Sequence, residues 1–135
     1  MKRESLITFC NSAAGHAFEW GRMDCTLFPA YCLDILRGTN SAAEHAGCWH
    51  DQLSAESYSD QNQLTLEDWL LDHGCEPIQA SYRQTGDFLM IPIDEPEGWI
   101  SAAVYLGRRS AVCLREGVRV IPSRAIKPIA VLGLR

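Results

Sequence analysis

The chain has 135 residues, 47% of them hydrophobic, with 12 Lys and Arg against 17 Asp and Glu, a formal charge of −5. That is enough apolar material for one core and too little length for two ordinary ones, so a single domain over residues 1–135 is expected. The acidic balance argues against nucleic-acid binding, which needs a basic surface to displace counterions, and no apolar run is long enough to predict membrane insertion.

Leu6, Phe9, Cys10 and Ala13 recur at helical spacing from Ser5 until Gly15 stops the pattern, which predicts a short amphipathic helix. Met1 to Ser5 leads into it without the apolar core of a signal peptide, so the chain is expected to be made and kept in a cytoplasm or assembled from there. Asp24 reads as an N-cap, and Phe28, Cys32, Ile35 and Leu36 carry a second helix to Gly38. Cys25 then falls in the first turn, where unpaired amides and the helix dipole favour a thiolate. Pro29, in the early turns, is expected to bend that helix or delay its regular start.

From Thr39 to Asn62 the pattern loosens into small and polar residues, with Ser41 to Ala46 as a helical turn and Trp49 as the large anchor. His45, Cys48 and His50 form an H-x2-C-x-H cluster of zinc-ligating types. A structural zinc site needs a fourth ligand and paired spacings, so no metal or cofactor is expected and the cluster reads as a loop anchored by Trp49 and Cys48. Thr65 to Asp68 resembles a capping box with Asp68 in place of the usual Glu, and Leu66, Trp69, Leu70 and His73 mark one face of a helix that Gly74 closes.

After Gly74 the period changes. Ile78 to Tyr82 is weakly extended, while Phe88 to Ile91, Ile100 to Leu106, Ala111 to Leu114, Val118 to Ile121 and Ile129 to Leu132 read as strands. Helices over 1–74 followed by an antiparallel sheet over 75–135 predict an α+β domain. Six cysteines without a CxxC pair or a secretion signal are expected to stay reduced.

Trp20-Gly21, a two-residue spacer, Asp24-Cys25 and Leu27-Phe28 resemble the nucleophile segment of the NlpC-type papain-like cell-wall hydrolases. Gly15 to Phe28 resembles more closely the branch of that superfamily found among tail proteins of long-tailed bacteriophages. Thr85 to Ile91 is similar to the Gly-Asp strand of these proteins, and Ala103 to Gly107 to the strand after it. The resemblance implies a papain-like domain with Cys25 as nucleophile and a histidine opening the strand that here runs from Ser101 to Gly107. Placed residue by residue, that histidine position holds Ser101, and no histidine follows His73. Serine cannot take a thiol proton at neutral pH.

Three function classes follow. The leading expectation, implied by the resemblance, is a structural component of a phage tail tip or baseplate that keeps the fold without its dyad, located in the virion with other tail-tip chains as partners. The second is a cysteine peptidase or amidase cleaving peptidoglycan peptides, with His16 or His73 recruited as base. The third is a metal-binding module of His45, Cys48, His50 and another cysteine. Under the first, contacts are expected from the 39–62 segment and the Asp94 to Trp99 turn, with Trp49 and Trp99 as anchors. No imidazole is expected within hydrogen-bonding reach of Cys25.

Overall fold

A computed structural model of the chain describes residues 2–135. Four α-helices come first, α1 (Arg3–Ala13), α2 (Leu27–Arg37), α3 (Gln52–Asn62) and α4 (Leu66–Asp72). Six strands follow, β1 (Glu76–Pro77), β2 (Phe88–Pro92), β3 (Ile100–Tyr105), β4 (Arg109–Leu114), β5 (Gly117–Pro122) and β6 (Ala130–Gly133). The domain is therefore mixed α+β, with helices preceding an open antiparallel sheet.

Helix α1 buries Leu6, Cys10 and Ala13, the stripe that its spacing predicts. Helix α2 buries residues on most of its circumference, among them Phe28, Cys32, Leu33 and Leu36, because α1 and α4 flank it and β3 and β4 lie beneath. Gly38 ends it in the left-handed region at φ 69°, its N–H donating back to Asp34 and Ile35. Its regular start is Leu27, two residues after Cys25. Pro29 thus falls in the first turn, where a missing N–H costs no helical bond.

The 39–62 segment is more ordered than its composition suggests. Helix α3 occupies Gln52–Asn62, with a reciprocal cap in which Asp51 accepts from the Ser54 N–H at 2.8 Å and Ser54 Oγ accepts from the Asp51 N–H at 3.2 Å. Periodicity could not reveal this helix because it buries only Ala55 and leaves Leu53 74% exposed. The serine at the third helical position also hides the cap from a search for Glu or Gln.

All strand pairs are antiparallel, in the order β1-β6-β2-β3-β4-β5. The last strand inserts between the first two, pairing Gly133 with Glu76 and Leu132 with Phe88. Ile78 to Tyr82, expected to be extended, instead turns through a 3-10 segment at Ala80–Tyr82. Phe88, Met90, Ala102, Val104, Ala111 and Cys113 face the helices, whereas Leu89, Ala103, Val112 and Val131 form a second buried cluster with Ile78, Ile121 and Ile126. Strands β3 and β4 pair only at Val104↔Ala111 and Tyr105↔Ser110, so the sheet splays at the start of β3. The chain before α2 occupies that opening.

Candidate functional site

Residues Glu19 to Met23 form a tight loop closed by two reciprocal backbone bonds of 2.9 Å between Glu19 and Met23. Gly21 sits in it at φ 79°, where a Cβ would collide with the Trp49 carbonyl oxygen, so a side chain does not fit there. The chain then delivers Asp24 into full burial. Its Oδ1 accepts from the N–H groups of Thr26 (3.0 Å) and Leu27 (2.8 Å). Its Oδ2 accepts from the Gly21 N–H (2.8 Å) and the Trp49 indole N–H (2.7 Å). Four donors replace the water that a buried carboxylate loses, so the charge is tolerated without a cation partner. Asp24 was expected as the N-cap, but that position of α2 is Thr26; Asp24 lies two residues earlier, accepts from the Thr26 and Leu27 amides, and ties the loop to Trp49.

Cys25 follows, 3% exposed and just ahead of α2. The splayed strands grip this segment from both sides, with Ser101 Oγ donating to the Cys25 carbonyl at 2.7 Å and Cys113 Sγ donating to the Met23 carbonyl at 3.5 Å. Ser101 thus stands beside Cys25, bonded to its backbone. The expected thiolate character is reversed, since burial and the Asp24 charge push the Cys25 thiol up to about 12. The two amides that open the helix and would have favoured a thiolate are taken by Asp24.

Cys25 borders a cleft of about 350 Å³ shared with Phe18, Asp94, Glu95 and Arg115. The Arg115 guanidinium lies 5.3 Å from the Phe18 ring centroid and 5.6 Å from that of Trp20, and pairs with Glu95 at 3.2 Å. Sequence reasoning missed Arg115, which lies in an ordinary hairpin turn far along the chain.

None of the four histidines bonds Cys25. His16 is exposed and bonds the Ala17 carbonyl at 2.8 Å, and His73 bonds the Trp69 carbonyl and stacks on the Trp69 ring at 4.1 Å. His45 bonds the Tyr58 hydroxyl at 2.8 Å, Cys48 donates to the Glu44 carbonyl at 3.3 Å, and His50 lies exposed beside Asp51. The H-x2-C-x-H cluster is thus not gathered into a ligand set, and no group of three potential metal ligands converges among the described residues. Trp49, expected as an interface anchor, is 6% exposed and packs with Leu27 and Ala55, because its N–H is drawn inward by Asp24. Trp99 remains partly exposed. All six cysteines are free, with the Cys10 and Cys32 sulfurs buried 4.0 Å apart.

No curated protein and no solved structure matches the chain. A family model described as a domain of unknown function (DUF6950) matches residues 2–129, nearly the whole sequence, and the chain belongs to that family.

Proposed function

We propose that this protein is a structural component of the tail tip or baseplate of a long-tailed bacteriophage, a papain-like domain of NlpC type without a working dyad. The observation that carries the non-catalytic part is the Ser101–Cys25 contact. At the position where the resemblance calls for a base, a serine hydroxyl donates to the Cys25 backbone carbonyl. The neighbouring thiol is held protonated by burial and by Asp24. A cysteine hydrolase needs a group that accepts the thiol proton and returns it to the leaving amine, and neither serine nor buried aspartate does so here. Helices followed by an antiparallel sheet are compatible with the papain-like reading, and the tail assignment rests on the likeness of Gly15 to Phe28.

The partners are then neighbouring tail-tip chains, and the location is the virion. The exposed side of α3 and the Asp94 to Trp99 turn are the contact surfaces, with Trp99 as the anchor. A second reading, a cysteine hydrolase acting on peptidoglycan peptides, is favoured by the cleft that Cys25 borders, and would need its histidine from a partner chain.

Mass spectrometry of purified phage particles should find the chain at fixed stoichiometry, and the purified protein should leave peptidoglycan fragments intact. Absence from particles would refute the assembly reading. Cleavage that Cys25→Ala abolishes, in phage that still form normal tails, would replace the structural reading with the enzymatic one.

A further inference from the structure

A cavity of about 310 Å³ opens between α3, the start of α4 and the chain leading into β3, and shares no lining residue with the Cys25 cleft. Trp49, Tyr58 and Trp99 wall it, and Glu67 and Asp68 stand among its lining residues. No Lys, Arg or His lines it. The polar ends of two of the three aromatic residues are engaged elsewhere. The Trp49 N–H donates to Asp24 at 2.7 Å and the Tyr58 hydroxyl bonds His45 at 2.8 Å. Their rings meet at a 47° tilt with centroids 5.1 Å apart; Trp49 is nearly covered and backs the wall, so the aromatic surface within a ligand's reach is that of the half-buried Tyr58 and Trp99.

Glu67 and Asp68 lie in the first turn of α4, and among the described residues neither carboxylate forms an ion pair or accepts a hydrogen bond. The helix dipole accounts for acidic residues at that end, but not for aromatic walls beside them. Ring faces attract cations, more strongly as water is excluded, and a carboxylate completes such a site with a charge-assisted hydrogen bond. An anion would be repelled by the two unpaired carboxylates, of which Glu67 is half-buried and Asp68 exposed. The volume is at the lower end for ligand pockets, which suits one long side chain with its adjoining backbone.

We propose that this cavity binds a single alkylguanidinium or alkylammonium group, the arginine or lysine side chain of a neighbouring chain. That the donor is a tail protein rests on the assembly reading above. The chemistry of the cavity is independent of it, so each can fail alone.

The test is a titration followed by tryptophan fluorescence and by indole and amide chemical shifts. The probes are Nα-acetyl-arginine amide, Nα-acetyl-lysine amide and, as an uncharged isostere of arginine, Nα-acetyl-citrulline amide. The two cations should bind saturably in the millimolar range, shifting the Trp99 indole, with citrulline about tenfold weaker or worse. Glu67→Gln combined with Asp68→Asn should weaken the cations by about tenfold, while the lost dipole interaction lowers the melting temperature by only a few degrees and leaves the protein folded. Citrulline binding as well as arginine, cation binding unchanged in the double variant, or no saturable response to either cation would each overturn the proposal. The citrulline comparison is made on the unaltered protein and does not depend on any variant folding.

Discussion

Replacing Asp24 by Asn keeps the side chain's shape but leaves one acceptor oxygen where there were two. Asp24 is fully buried and accepts four hydrogen bonds, two on each oxygen. The amide oxygen of Asn keeps one pair of donors, while its NH2 group confronts the other, either the Thr26 and Leu27 amides or the Gly21 amide and the Trp49 indole. Each buried donor left without a partner costs about 1–3 kcal/mol, so the substitution should cost about 4 kcal/mol. Against a total of about 5–15 kcal/mol for a domain, that is a large share. In urea, with a slope of about 2 kcal/mol per molar, the unfolding midpoint should fall by about 2 M. Trp49→Phe removes one of the confronted donors, so the double variant should lose about 1–2 kcal/mol less than the sum of the singles. A loss below about 1 kcal/mol for Asp24→Asn, or strict additivity with Trp49→Phe, would refute the account of Asp24 as the acceptor that holds the loop, the helix start and Trp49 together.

In native protein at pH 7.5, iodoacetamide should label the exposed Cys48 and leave the five buried cysteines, Cys25 included, until denaturant is added; fast labelling of Cys25 would contradict its protonated, covered state. Burial pushes Cys25, Cys75 and Cys113 each from 9.0 up to about 12, so above pH 9 the folded chain holds protons that the unfolded chain releases. Stability should thus be complete below pH 9 and fall as pH rises toward 12, and a denaturation midpoint that does not move between pH 8 and pH 10.5 would count against it. Arg135 pairs with buried Asp87 through two nitrogens, each at 2.8 Å, whereas Arg115 pairs with Glu95 where both side chains are about half exposed. Arg135→Ala should therefore cost about 2 kcal/mol, whereas Glu95→Ala, which breaks the exposed pair and leaves Arg115 on its rings, should cost about 0.5 kcal/mol or less, and equal losses in thermal unfolding would show that burial does not set the difference.

Helices α1 and α2, strands β2 to β6 and the α+β class were legible because each is written in local periodicity. Leu6, Cys10 and Ala13 return every three or four residues, and Phe88 and Met90 alternate with Leu89 across a strand. Helix α3 was illegible because it buries a single alanine and is held by its Asp51–Ser54 cap. The state of Cys25 lay beyond the sequence for a different reason. A cysteine near a helix start reads as activated only if the opening amides are free, and here Asp24 takes them while Ser101, 76 positions away, and Cys113 hold the segment between splayed strands. Trp49 turned inward because its indole N–H meets a buried carboxylate 25 residues away. The placement of β6 between β1 and β2 is also non-local, since the register joins residues 40 or more positions apart. Spacing along the chain determined which residues share a face. Which faces meet, and hence whether a thiol is reactive or a tryptophan exposed, was decided only when distant segments competed for the same donors and the same buried volume.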